Sequence, residues 1–380
     1  MCGNQHTRVC HISTVHSALD VRIFYRECRS LVQAGYEVHL VIPRAENSVR
    51  DGVSIHCIPV VKSRFVRMLL MPWVAMRKAL QTKASLYHYH DPELLFMGFV
   101  LRWILGKKVI FDVHEPVALQ VMSKPWLPRW SRKAIALLYR LIEKIFSQGQ
   151  ELVLANEYSV ARHPHRAYLV RNYPLFRDDV AGLANAKNRN TDPPLLVYVG
   201  GVARIRGAMV YVELAGKLAQ RGHDFHMQIV GPCSEQLQTE LKARIESLGL
   251  QDKVLLRDRI DWPEAMELVS KATIGMCLLL PVPNYTASLA TKILEYMMLG
   301  TPVLASNFDC WRDIVEGEGA GMMAEPTDIN EVADVCEWML NNPDELRAMG
   351  QRGMEAVRSK YNWSSEFREL LRCYETVLSR

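Results

Sequence analysis

At 380 residues the chain is long enough for two domains of ordinary size, each with its own core. With 49% hydrophobic and 23% charged residues, it has the composition of a soluble globular protein rather than a disordered one. The net charge of +5 conceals an asymmetry: residues 1–190 carry 27 basic and 14 acidic side chains, the remainder 19 and 27. A basic first half is expected to meet something anionic.

Short apolar runs alternate with helical periodicity along the chain, the pattern of parallel α/β layers. The first series of predicted strands is Arg8–Ser13, Glu37–Ile42, Val53–Ile58, Ser85–His88, Lys108–Asp112 and Glu151–Ala155, with Asp20 and Asp91 as expected helix N-caps. The second series is Leu195–Val199, His226–Val230, Val254–Leu256, Ile274–Leu279, Pro302–Ala305 and Gly321–Ala324, followed by helices alone. This predicts a first doubly wound domain over 1–172, a linker over 173–194 and a second doubly wound domain over 195–360. A final helix over 361–380 would pack back toward the first domain. Ligands of such sheets sit at the carboxyl ends of the strands, so function should lie in the loops there.

The opening residues, Met1–Thr14, lack the long apolar core of a signal peptide. The most apolar windows, Phe65–Met76 and Leu94–Leu105, are interrupted by Arg67, Pro72 and Arg102 and are too short to span a bilayer. Nine cysteines are scattered without CxxC pairs or metal-ligand spacing, which suits a reducing cytoplasm and argues against a disulfide framework or a zinc site. Lys62–Gln81 has five basic residues and no acid. Between Glu115 and Glu143 no acid interrupts Lys124, Trp126, Arg129, Trp130, Arg132, Lys133 and Arg140. Basic residues mixed with Trp, Phe, Leu and Met describe an interfacial helix on anionic lipid, and equally an amphipathic helix with a solvated basic face. Arg64, Arg67, Trp126, Arg129, Trp130, Arg132 and Lys133 are the residues expected to face such a membrane.

Several loops carry residues that strand or helix formation does not ask for. His16, Asp20 and Arg22 occupy the first strand–helix loop, and His88–Leu95 (HYHDPELL) follows the fourth predicted strand. Phe111-Asp112-Val113-His114-Glu115-Pro116 closes a strand with polar residues, where His114 could hydrogen-bond a sugar hydroxyl or serve merely as a packed histidine. Val199–Gly207 reads as strand, tight turn and helix start. Gly200 and Gly201 permit close backbone approach to a phosphate, and Arg204 and Arg206 offer forked donors to its oxygens. In Ala287–Ser306 (ASLATKILEYMMLGTPVLAS), Thr291 is the expected N-cap of a helix that Gly300 stops. Lys292 and Glu295 lie three apart on it, close to the free N–H groups that favour a diphosphate. An exposed ion pair would explain the two charges as well.

Glu295-Tyr296-Met297, Gly300, Pro302 and Val303 match position by position the E-[YA]-M-x-x-G-x-P-V block of retaining glycosyltransferases of the group 1, or family 4, type. The Asp112–Glu115 stretch resembles that family's D-x-H-E signature. The blocks around His16 and His90 resemble those of a subgroup that builds bacterial polysaccharides. The resemblance runs from the first loop to Tyr361-Asn362-Trp363 and implies the GT-B architecture, two doubly wound Rossmann-like domains facing across a cleft. It implies that Glu295 binds the donor ribose, that Arg206 neutralises the leaving diphosphate, and that His114 contacts the donor sugar. Those three are the expected catalytic residues, with Gly200, Gly201, Arg204, Leu289, Ala290 and Lys292 completing the donor site. His16, Asp20, His90 and Glu115 are expected on the acceptor side. One departure stands out: the family's second glutamate, eight residues before the ribose-binding one, is here Ala287, so the identity of the donor does not carry over.

The expected activity is transfer of a glycosyl unit, with retention, from a nucleotide-diphosphate sugar to a lipid-linked or glycan acceptor, in cell-surface polysaccharide synthesis. No metal or other cofactor is expected, and the protein would sit peripherally on the inner face of the cell membrane. Two alternatives remain on the sequence: a sugar-nucleotide epimerase of the same fold, and a non-enzymatic protein binding through its basic surface. The chain lacks any nucleic-acid-binding module, so nucleic acid is not an expected partner.

Overall fold

The computed structural model describes residues 7–44, 46–114, 116–123, 127–160, 163, 166–176 and 192–380. The chain divides into two compact units, Met1–Asn172 with Trp363–Arg380, and Tyr173–Asn362. The expected linker lies mostly outside the described residues, as do Glu115 and Trp126.

In the first unit eight strands form one sheet: β1 (Arg8–Ile12), β2 (Glu37–Pro43), β3 (Ser48–Arg50), β4 (Val53–Ile58), β5 (Leu86–Tyr89), β6 (Lys108–Val113), β7 (Glu151–Leu154) and β8 (Ala167–Leu169). Their order is β3-β4-β2-β1-β5-β6-β7-β8, parallel except for β3 against β4. The runs β1, β5 and β7 are buried throughout or nearly so, as a sheet covered on both faces requires. Strands β3 and β8 were not anticipated. Each has three residues and no fully buried side chain, so neither carries the apolar signal of a core strand.

The second sheet comprises β9 (Leu195–Val199), β10 (His226–Val230), β11 (Val254–Arg257), β12 (Ile274–Cys277), β13 (Val303–Ser306) and β14 (Gly321–Ala324). It is parallel throughout, in the order β11-β10-β9-β12-β13-β14. In both sheets the order reverses beside the first strand of the unit, between β1 and β5 and between β9 and β12. Such a switch point opens a crevice at the strands' carboxyl ends.

Two expected caps come out differently. Ala290, not Thr291, occupies the N-cap of the helix Thr291–Met298, and no side chain bonds its first turn. Asp91 stands at an N-cap position, but its carboxylate turns instead to the loop after β1. Asp20 does cap, accepting from Arg22 N and Ile23 N.

The helix Val21–Cys28 is π-wound. Its wider turn brings residues five apart together, so Arg22 Nε lies 3.0 Å from Glu27 Oε1. The last helix, Trp363–Ser379, packs in the first unit: Trp363 Nε1 donates to Ser30 Oγ at 2.8 Å, and Lys108 Nζ donates to Leu378 O at 2.6 Å.

Candidate functional site

In the first unit the reversal of strand order brings His16, His90 and His114 to the carboxyl ends of β1, β5 and β6. His114 Nε2 lies 3.0 Å from Asp112 Oδ2, and His90 Nδ1 lies 3.2 Å from the same oxygen. Arg22 grips Asp112 with two parallel bonds of 2.9 Å, Nε to Oδ2 and Nη2 to Oδ1. Burial works against the Asp112 charge, but Arg22, His114 and His90 outweigh it and hold the carboxyl well below its usual range. The dyad therefore presents His114 with Nε2 engaged and Nδ1 as the ring nitrogen left for a substrate hydroxyl.

His16 leans on Asp91, Nδ1 to Oδ1 at 3.0 Å, and its ring centroid is 5.0 Å from that of His114. Asp91 also accepts from Ser13 Oγ at 2.9 Å and Thr14 N at 2.5 Å. Against the cost of burial, these donors hold it at about 2, and Asp91 in turn raises His16 above its ordinary value. His90, expected on the acceptor side, has no exposed surface. It acts behind His114 rather than at the surface, and burial pushes it down to about 4. Asp20 is occupied as a cap.

Sequence reasoning missed how far the polar cluster extends inward. His11 Nδ1 is 2.9 Å from His90 Nε2, and Tyr374 Oη lies 2.9 Å from both His11 Nε2 and His88 Nδ1. Glu27 is fully buried beside them. The available signal was the alternation His88-Tyr89-His90, which sends two histidines to one face of a strand with no exposed surface.

In the second unit the donor-site candidates converge in part. An added Cβ on Gly200, whose φ is +142°, would lie 2.9 Å from Lys292 Nζ, and one on Gly201 would lie 3.1 Å from Arg206 Nη1. Both cationic heads therefore sit against the glycine turn. Lys292 Nζ stands 3.9 Å from the Tyr198 ring centroid, and Arg206 Nε donates to Tyr285 Oη at 3.2 Å. Burial, aided by Arg206, pulls the Lys292 ammonium down to about 8 in spite of Glu295 and other groups that favour its charge.

Leu289 and Ala290 lead into the uncapped first turn of Thr291–Met298, and Glu295 lies one turn further along. Arg204 does not join this group, because its guanidinium pairs with Glu240 on the surface. The preceding loop holds two further polar atoms. Asn284 Oδ1 and Ser288 Oγ are shielded without a hydrogen-bond partner, beside Ala287 where a glutamate was expected.

Of the residues expected on a membrane, Arg129, Trp130 and Lys133 are exposed, Trp130 at 85%. Arg64 is exposed as well. Arg67 instead pairs with Glu93 at 3.1 Å, and Arg132 donates to the carbonyls of Leu127 and Met122, so these two are corrected to structural partners. The apolar side is larger than anticipated. Phe65, Leu69 and Trp73 of the helix Arg64–Gln81, and Leu137, Leu138 and Leu141 of the helix Arg129–Phe146, are exposed. The rings of Trp73, Phe96 and Phe146 join the two helices edge to face, at 5.6 and 5.5 Å. Among the described residues no helix is long and apolar enough to cross a membrane.

Two doubly wound sheets, one carrying a cationic glycine turn and the other a histidine–aspartate pair, have the architecture of the GT-B class. The family model for glycosyl transferases group 1 matches residues 182–356, and that for glycosyltransferase family 4 matches residues 21–175. Between them the two models span most of the chain and support a group 1 glycosyltransferase. It is 23% identical over 294 residues to an alpha-D-kanosaminyltransferase of Streptomyces kanamyceticus, covering 74% of each chain. It is also 23% identical over 313 residues to a GDP-mannose:cellobiosyl-diphosphopolyprenol alpha-mannosyltransferase of Komagataeibacter xylinus, covering 78% of this chain and 72% of the relative. Its fold is shared with sucrose-phosphate synthase from Thermosynechococcus elongatus, with a TM-score of 0.76 at 17% identity over 98% of this chain and 99% of that one.

Proposed function

We propose that this glycosyltransferase moves a sugar, with retention of configuration, from a nucleoside-diphosphate sugar to a lipid-linked acceptor at the inner face of the cell membrane. The product would enter cell-surface polysaccharide. The observation that carries the donor half is the pair of cations, Arg206 and Lys292, aimed at the Gly200–Gly201 turn. Arg206 lowers the tendency of the buried Lys292 to stay charged, and a diphosphate offsets both cations at once. The helix start at Thr291 adds free N–H donors, and Glu295 accepts from the ribose diol.

In the transfer step the bond from the anomeric carbon to the diphosphate breaks, and its electron pair leaves with the phosphate oxygen. Arg206 and Lys292 stabilise that growing charge without a metal ion. The acceptor hydroxyl attacks from the same face, and the departing phosphate takes its proton. His114, oriented by Asp112, would hold a hydroxyl of the transferred sugar. Asn284 and Ser288 replace the missing glutamate as neutral sugar contacts.

The acceptor half is supported by the exposed apolar faces of Arg64–Gln81 and Arg129–Phe146, flanked by Arg64, Arg129 and Lys133, which suit a lipid surface. The Komagataeibacter xylinus relative is named for a diphosphopolyprenol acceptor, which agrees with a lipid-linked substrate here. The test is a thermal-shift screen with UDP, GDP, ADP, CMP and dTDP sugars, followed by turnover with the sugar that stabilises the chain. Glu295→Ala and Arg206→Ala should each lower turnover at least ~100-fold while the melting midpoint of the free protein barely moves. Near-native turnover in both variants would show that the donor site lies elsewhere.

A further inference from the structure

We propose that the first unit holds a structural zinc ion at a buried site made by His11, Glu27, His88 and His90. This inference does not rest on the proposed reaction, since all four side chains are without exposed surface and out of reach of a substrate.

The geometry is that of a ligand set. His11 Nδ1 and His90 Nε2 are 2.9 Å apart, and Glu27 Oε2 stands 3.7 and 3.9 Å from them. A point equidistant from these three atoms lies about 2 Å from each, the ordinary zinc–nitrogen and zinc–oxygen length. His88 completes the group, with one ligand atom from each residue lying within 4.8 Å of the others. Three imidazoles and one carboxylate, with no open position toward solvent, make a closed four-ligand set of the composition zinc prefers over magnesium or calcium.

The surroundings agree. Glu27 Oε1 is held by Arg22 at 3.0 Å, whereas no hydrogen bond reaches Oε2 of Glu27 or Nε2 of His88, an unfavourable state for fully buried polar atoms. The ring nitrogens turned away from the centre are engaged: His90 Nδ1 with Asp112 at 3.2 Å and His11 Nε2 with Tyr374 Oη at 2.9 Å. That is the carboxylate–histidine–metal arrangement that orients a ligand ring. Charge points the same way. Two buried carboxylates, Glu27 and Asp112, face one guanidinium, Arg22, and the remaining negative charge needs a cation or a proton. Through His90 the ion would brace Asp112, and through Asp112 it would brace His114.

The test uses the full chain produced in zinc-supplemented medium. Elemental analysis of the purified protein should find about one zinc per chain, retained through dialysis against a chelator and lost on unfolding. Refolding the chelated chain with Co²⁺ should give the intense visible absorption of a four-coordinate ion. Refolding it with Zn²⁺ should raise the melting midpoint above that of the metal-free chain. Glu27→Gln should retain at least tenfold less zinc; if that variant does not fold, the cobalt spectrum of the unaltered chain decides. Metal-free protein whose midpoint ignores added Zn²⁺ would overturn the proposal in favour of a protonated Glu27 beside a His11–His90 hydrogen bond.

Discussion

Lys292 shows how one residue ties burial to binding. Folding lowers its ammonium from an ordinary value of 10.5 to about 8, chiefly by burial. A diphosphate favours the charged form, so affinity for the nucleoside diphosphate should fall as pH rises through 8. Binding at pH 9 should take up a proton, seen in calorimetry as a dependence of the enthalpy on the buffer. The free chain should respond in the opposite sense. Between about 8 and 10.5 the unfolded lysine holds a proton that the folded one has lost, so stability from this group rises with pH over that window. A binding affinity flat from pH 7 to 9.5 would remove Lys292 from the donor site. His114 makes a separate case. His114→Ala should cut kcat by at least ~100-fold while the affinity for the bare nucleoside diphosphate stays within about twofold, because every residue assigned to the diphosphate lies in the other unit. Equal loss of nucleotide affinity would mark His114 as structural.

At the scale of elements, the sequence announced the twelve longer strands, because each is an apolar run bounded by turn residues. It did not announce the π-winding of Val21–Cys28, which brings Arg22 to Glu27 while Arg22 also grips Asp112 on a strand far along the chain. The donor loop was legible because glycines mark close approach. Gly207 is the sharpest instance: it sits at φ +78°, and an added Cβ would come 1.9 Å from Leu278 O. Gly207→Ala should therefore destabilise the chain by about 1–3 kcal/mol or more in urea unfolding, and should weaken nucleotide binding with it. The buried histidines were illegible for the converse reason. Their partners, Glu27 and Tyr374, lie in helices whose apolar periodicity hides a polar residue aimed inward. The Asp91 cap failed because Ser13, Thr14 and His16 offer its carboxylate more donors than a helix start does.

At the scale of the whole molecule, the basic first half and its exposed apolar helices predict a salt-sensitive hold on anionic membrane. Each basic side chain near the surface contributes about 1 kcal/mol, screened over a Debye length. In vesicle co-sedimentation, replacing Arg129 and Lys133 with glutamate should reduce binding to anionic vesicles several-fold. Trp130→Ser should reduce it as well, and neutral vesicles should bind poorly throughout. Indifference to lipid charge would favour a soluble glycan acceptor. The first unit also has a peculiar history in time. Its last helix, Trp363–Ser379, leaves the ribosome only after the whole second unit has been made. At about 5–20 residues per second, that is a delay of roughly 10–40 s. Throughout it, the nascent first sheet lacks the Tyr374 hydroxyl that bridges His11 and His88, and the indole that seats on Ser30. The half of the protein synthesised first thus cannot complete its histidine core until the helix Trp363–Ser379 has been made.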